Sequence, residues 1–308
     1  MDRREFIKKG IGATVLAGST LGMLGSYEKI FAASGYFPSP YYDLVAVKGG
    51  EPDVMFNKGI ESFGGMKKFV KKGQTVVIKP NIGWDTTPER AGNTNPLLVS
   101  QIIKHCFAAG AKEVYVFDHA CDNWIKSYKN SGIERAVKDA GGKIVSGDSE
   151  KYYHEVNIPG GKKLKTAKVH ELILSSNVFI NVPILKHHSS SKLTVSMKNN
   201  MGIVWDRGEW HKNDLHQCIA DFATYRKPDL NIVDAYYVLT KNGPKGVSEN
   251  DVVKMKSLII SKDIVAADAA AAKLFGVNPD TINYIKIAAD MKVGRKDLEK
   301  LSINRIKI

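Results

Sequence analysis

Short apolar runs alternate with longer stretches of helical periodicity from residue 44 onward, the grammar of an α/β sheet. The runs predict strands over Leu44–Val47, Thr75–Lys79, Glu113–Asp118, Lys143–Val145, Val178–Val182, Leu230–Asp234 and Ser257–Ile260. The intervening stretches predict helices over Asp53–Val70, Pro96–Ala109, Gly132–Ala140, Leu215–Tyr225, Ile264–Phe275 and Thr281–Met291. Gly110, Gly141 and Gly276 stand where three of those helices must stop, as helix C-caps do. Residues 151–168 are less regular and contain Pro159-Gly160-Gly161, so this segment reads as a hairpin or small excursion. The expected fold is α/β, a mostly parallel sheet flanked by helices.

The first 34 residues follow different rules. Asp2-Arg3-Arg4-Glu5-Phe6-Ile7-Lys8-Lys9 is a basic patch with adjacent arginines, and an uncharged stretch runs from Gly10 to Tyr27. Small residues at Ala32 and Ser34 suit a signal peptidase. The apolar stretch is diluted by five glycines, and Lys29 precedes the cleavage point, both traits of the twin-arginine route. A bilayer span needs about 20 predominantly apolar residues, and this run is shorter. We therefore expect a twin-arginine signal peptide over residues 1–34, a single α/β domain over 35–308, and a destination in the periplasm or extracytoplasmic envelope. Cleavage after Ser34 is the expected processing; retention of the leader as a loose anchor is the alternative. The export machinery is an expected partner, and no stable membrane span is expected in the mature form.

Charge narrows the ligand. The chain has 45 Lys and Arg against 32 Asp and Glu, and the portion after residue 34 still carries 40 against 29. Such a field attracts anions: carboxylates, phosphates or an anionic surface. Nucleic acid is not expected, because no recognised binding module is present. Cys106, Cys121 and Cys218 are isolated, so neither a disulfide framework nor a thiolate-bound iron–sulfur cluster is supported. A single Cys106–Cys121 bridge is an open alternative to plain buried thiols.

The candidate chemistry lies where the apolar runs end. Val76-Val77-Ile78 leads into Lys79-Pro80-Asn81, Val114 to Phe117 into Asp118-His119, and Val178 to Leu185 into Lys186-His187-His188. Leu230 to Val233 reaches Asp234, and Leu258-Ile259-Ile260 reaches Ser261-Lys262-Asp263. In a parallel sheet these ends would share the rim on which open α/β folds bind ligands. The segment from Lys186 to Gly202 adds three lysines, two histidines and two asparagines with no acidic residue. It reads either as a solvated basic loop or, given Val195, Met197 and Met201, as a partly buried element turning Lys198 and Asn199 inward. Ammonium groups neutralise a carboxylate or phosphate, amides orient it, and a desolvated lysine can act as base or nucleophile.

A divalent metal is a further reading, with His187, His188, His211 and Asp118 as ligands, although no pair has the i, i+4 spacing of a helical chelate. Asp263 reads as a helix N-cap, and Asp268, an acid among alanines, reads first as structural and open to a lysine partner. Phosphate-binding loop, nucleophile-elbow and zinc-protease motifs are absent from the sequence.

Taken together, Val77-Ile78-Lys79-Pro80-Asn81, Thr94-Asn95-Pro96, Ala109-Gly110-Ala111, Ile180 to His188, Met197-Lys198-Asn199-Asn200-Met201-Gly202, His211 and Asp263 to Asp268 resemble the bacterial and archaeal family called domain of unknown function 362. The resemblance covers most of the chain after the leader. Many members of that family carry an appended ferredoxin-like module with two cysteine-rich motifs, which this sequence lacks, so no iron–sulfur cluster is expected. The family usually has Lys-Thr-His where this chain has Lys186-His187-His188, which gives His188 the place of the motif's histidine.

The functional expectation is an enzyme acting on a small anionic substrate. Catalytic roles fall to Lys79, Lys186, His188 and Lys198, and ligand binding to Asn81, Asn95, Asn199, His211 and Asp268. Two alternatives stay open: a binding protein for an anionic ligand, and a redox or metal accessory protein without a cluster of its own.

Overall fold

The computed structural model describes residues 42–308, so the leader expected over residues 1–34 lies outside the described residues. The strands are β1 (Leu44–Lys48), β2 (Thr75–Pro80), β3 (Glu113–Val116), β4 (Lys143–Ile144), β5 (Tyr153–Asn157), β6 (Thr166–His170), β7 (Val178–Val182), β8 (Ile184–His188), β9 (Lys192–Thr194), β10 (Leu230–Leu239), β11 (Val252–Ser261) and β12 (Ile303–Lys307). The main sheet runs in the order β12-β1-β11-β10-β7-β2-β3-β4, with β8 paired to β10 and β9 to β8. Neighbouring strands from β10 to β4 are parallel, and β11 alone in the path runs antiparallel to both its neighbours. The fold is therefore α/β with a mostly parallel sheet.

Alternation along each strand sends side chains to opposite faces, and each face buries its own core. Val76, Ile78, Val114, Ile180 and Ile232 pack against helices Pro52–Glu61, Pro96–Ala108 and Ile133–Asp139. Val77, Phe117, Phe179 and Val233 pack on the other side against Leu215–Phe222, Ile264–Phe275 and Asn283–Asp290. Gly110, Gly141 and Gly276 all take positive φ, 103°, 81° and 91°, where a Cβ would be strained. The excursion at 151–168 is an antiparallel hairpin, β5 with β6, forming a separate two-stranded sheet.

Three expectations need correction. β11 extends from Val252 and runs antiparallel, so Ser261-Lys262-Asp263 leaves the sheet at the opposite rim from Lys79 and Lys186. Asp263 remains a cap there, accepting the Val265 and Ala266 amides. Asp234 is not a strand end, because β10 continues five residues beyond it. All three cysteines are free: Cys106 and Cys218 are buried and Cys121 is exposed, so the Cys106–Cys121 bridge does not form.

From β2 the sheet grows outward through β3 and β4, whereas β7 returns to the other side of β2 and continues toward β10. The strand order thus reverses at β2, which opens a crevice at the carboxyl ends of β2 and β7.

Candidate functional site

A cavity of about 300 Å³ occupies that crevice, within the usual size of small-molecule sites. β2 supplies Lys79, and Asn81 follows its last residue; Asp118 follows β3; β8 supplies Lys186 and His188. Lys198 and Asn199 come from the short helix Ser196–Asn199, and Arg207 and His211 close the far wall. The segment from Lys186 to Gly202 is thus a built element rather than a solvated loop: β8, β9 and the helix, with Lys198, Asn199 and Asn200 buried.

Asp268 explains why that helix sits where it does. Its carboxylate accepts the backbone amides of Ser196 (2.7 Å) and Met197 (3.1 Å), satisfying the first donors of the helix. Burial pushes the Asp268 carboxyl up to about 7. Asp268 does not line the cavity and, among the described residues, pairs with no lysine; its place is to position Lys198 and Asn199. Asn95 is likewise outside the cavity: its side chain caps helix Pro96–Ala108 by accepting from Leu97, and its amide donates to Asp234.

The floor is a buried ion pair. Lys79 Nζ lies 2.8 Å from Asp118 Oδ1 and donates to Asn199 Oδ1 at 2.8 Å. The other Asp118 oxygen accepts the Ile82 amide at 2.7 Å. Burial lowers the Lys79 pKa, and the Asp118 charge opposes that shift. Gly202 passes so close over this pair that a Cβ there would collide with Asp118 Oδ1 and come within 2.6 Å of Lys79 Nζ. Asn199 joins the floor to the sheet. Its Nδ2 donates to Asn181 Oδ1 (2.8 Å), and Asn181 Nδ2 donates in turn to Asn231 Oδ1 (3.1 Å).

The remaining cations differ in their partners. Lys186 Nζ donates to Gly92 O (2.6 Å) and Asn81 Oδ1 (3.2 Å) and lies over the Trp84 ring. Arg207 donates to the carbonyls of His119 and Ala120, bracing that loop. Lys198 is 8% exposed, yet among the described residues its ammonium meets only the Met201 thioether, a weak acceptor, at 3.3 Å. Burial draws Lys186 down to about 7 and Lys198 down to about 8, with nearby cationic groups adding to the shift.

Two of the three imidazoles that line the cavity are in complementary tautomers. His119 Nδ1 faces Val204 O at 3.2 Å; a carbonyl only accepts, so Nδ1 carries the proton and Nε2 offers a lone pair. His188 Nδ1 accepts the Ser190 amide at 3.1 Å, so its proton sits on Nε2. Burial lowers both pKa values; Lys198 and Lys186 depress His188 further, and Arg207 depresses His119. His119 is held by a stacked Trp205 ring, 4.8 Å between centroids.

The proposed metal ligands do not assemble. His187 and His188 are adjacent on a strand and point to opposite faces; His187 Nδ1 accepts from Gly243 outside the cavity. Asp118 is committed to Lys79. Among the described residues no three His, Cys, Asp or Glu side chains are placed to hold a metal ion. His211 does reach the cavity wall, where burial and the Lys198 charge lower its pKa. Trp84, Cys121 and Arg207 also line the site and carried no sequence signal beyond their residue type. His119 was legible only as the neighbour of Asp118 at a strand end.

Fold and site together define an α/β protein with a cationic, amide-floored pocket at a sheet switch point. Residues 76–273, more than half of the chain, match the model of the family described as Domain of unknown function (DUF362), and the chain belongs to that family. It is 26% identical over 238 residues to a thylakoid-associated protein of Synechocystis sp., covering 72% of this chain and 70% of that protein. Among solved structures it is similar to the lactate racemase apoprotein from Thermoanaerobacterium thermosaccharolyticum, at TM-score 0.46 and 14% identity over 73% of this chain. It is also similar to a protein from Thermotoga maritima, at TM-score 0.45 and 10% identity over 78% of this chain. The aligned regions span 56% and 60% of those two chains.

Proposed function

We propose that the protein is an exported enzyme that binds a small anionic substrate on Lys198 and performs acid–base chemistry on it with His119 and His188. The observation that carries this reading is the Lys198 ammonium: nearly buried, lining the cavity, and without an oxygen acceptor among the described residues. A buried cation left with so poor an acceptor is stabilised when an anion enters. Lys79 and Asp118 neutralise each other, so Lys186, Lys198 and Arg207 set the charge that the ligand meets.

The imidazoles supply the rest. The His119 Nε2 lone pair accepts a proton from the bound molecule, and the His188 Nε2–H donates to the oxygen on which charge develops. Lys186, near neutrality, is the further proton carrier. The Arg3-Arg4 leader supports an extracytoplasmic site of action; among the described residues no helix is long and apolar enough to cross a membrane.

The test combines ligand identification with titration. Mass spectrometry of the protein purified from its native compartment should find a co-purifying carboxylate or phosphate. Calorimetry with that anion should show Lys198→Met weakening binding about tenfold or more, the worth of a charged hydrogen bond. The compound should exchange a carbon-bound proton for deuterium in heavy water in wild type and not in His119→Ala. Equal affinity in Lys198→Met would overturn the site. Retained binding without exchange or turnover would make the protein an anion-binding protein instead. Replacing Arg3 and Arg4 with lysine should leave the chain in the cytoplasm.

A further inference from the structure

Cys121 stands apart from the other two cysteines. Cys106 and Cys218 are buried, whereas Cys121 is exposed at the wall of the cationic cavity. Its Sγ lies 3.5 Å from Arg207 Nη2, and its backbone amide is fixed to Gly83 O at 2.8 Å, so the thiol is held in place. The same cavity contains the nine-tenths-buried Lys198 ammonium, whose one hydrogen-bond contact among the described residues is the Met201 thioether. Lys186 lines that cavity too, so the thiol and both lysines face one common space.

We propose that Cys121 is a nucleophilic site that captures small carboxylate-bearing electrophiles covalently, the carboxylate docking on Lys198 while the neighbouring carbon meets Sγ. The thiolate is the reactive form, and the clustered cations of the cavity concentrate anionic reagents around it. In the step, sulfur forms a bond to the carbon beside the carboxylate and the bond from that carbon to its leaving group breaks. The leaving group departs with the bonding pair, and the thiol proton passes to solvent. No external oxidant or reductant takes part. The inference rests on the anion-binding reading of the cavity and adds a covalent partner to it.

The experiment compares iodoacetate with its neutral counterpart iodoacetamide on the full chain, with labelling followed by intact mass and peptide mapping. The rate ratio of iodoacetate to iodoacetamide at Cys121 should exceed that of free glutathione by about tenfold or more. It should fall toward the glutathione value in Lys198→Gln and in high salt, and inorganic phosphate should slow the iodoacetate reaction. Cys121→Ser should take up no label while folded, as judged by its melting transition. A ratio equal to that of glutathione, or label on Cys106 or Cys218 in the folded protein, would overturn the proposal. If Cys121→Ser still binds anions while the wild-type ratio is ordinary, the covalent inference alone has failed. If Lys198→Met leaves anion binding unchanged, the underlying reading has failed whatever the alkylation shows.

Discussion

Asn199 Oδ1 accepts from Lys79 Nζ at 2.8 Å and, in the same stroke, from Asn81 Nδ2 at 3.1 Å. One amide oxygen from a four-residue helix thus orients the buried ammonium of β2 and the amide that follows it. Asn199→Ala would take this acceptor from both donors, leaving Lys79 to Asp118 alone, and would also remove the donor to Asn181 Oδ1. Buried polar groups left without partners cost about 1–3 kcal/mol each. Urea unfolding should show a loss toward the upper end of that range, and a change under about 0.5 kcal/mol would refute the floor's structural role.

Gly202→Ala tests the close approach over the ion pair. A methyl group there occupies space held by Asp118 Oδ1 and Lys79 Nζ, so the pair must separate or the 200–203 turn must lift. Overpacking of this kind costs about 1–3 kcal/mol. Thermal unfolding should show the loss, together with weakened anion binding. An unchanged melting temperature would show that the turn yields freely.

The lysines predict opposite pH trends for stability and binding. The unfolded chain keeps Lys186 and Lys198 protonated up to the ordinary value near 10.5, whereas folding releases those protons at about 7 and 8. Between these limits the unfolded state binds more protons, so the ligand-free protein gains stability as pH rises from about 7 toward 10.5. Anion binding needs the ammonium form and should weaken as pH passes 8. Denaturation and calorimetry across pH 6–10, with Lys198→Met as control, would expose a common trend if the assignment is wrong.

Nitrogen-15 spectra of the histidine rings provide a check independent of ligand. At pH 7 His119 should be neutral with its proton on Nδ1, and His188 neutral with its proton on Nε2. The reverse pattern at either ring would remove the acid–base pairing.

Asp268→Asn keeps the shape of the side chain but leaves one carbonyl oxygen to serve two backbone amides. The helix carrying Lys198 should loosen, lowering stability by about 1–3 kcal/mol and weakening anion affinity although Asp268 never touches the cavity. Unchanged affinity would show that the helix is held by other means.

Much of the fold was legible because burial writes itself into sequence. β7 and helix Ile264–Phe275 fall on their predicted limits, since each is almost wholly buried and apolar apart from Asn181 in the strand and Asp268 and Lys273 in the helix. The outer half of β11 escaped notice because Val253 and Lys254 face solvent there and dilute the apolar signal. Its direction was also hidden: no single strand records whether its neighbour is parallel, so Ser261-Lys262-Asp263 was assigned to the wrong rim. β8 and β9 were missed because Lys186, His188 and Lys192 look like loop residues; the cavity accounts for the first two, and Lys192 is an exposed lysine bound to the Thr281 carbonyl. Residue type pointed to Lys79, Asn81, Lys186, Lys198 and Asn199. The partnership of Lys79 with Asp118 is a tertiary fact, and it turned a candidate metal ligand into a counter-ion.

The chain of amides from Asn199 through Asn181 to Asn231 continues to the Ser261 carbonyl, at 3.4 Å from Asn231 Nδ2. Each member supplies what the next one lacks, so a lone apolar replacement strands its neighbours, while exchanging the whole series together would strand far fewer groups. Drift at any one of these positions is therefore blocked unless the others move with it. The strand order at the heart of the molecule is in this way keyed to the chemistry of the pocket above it.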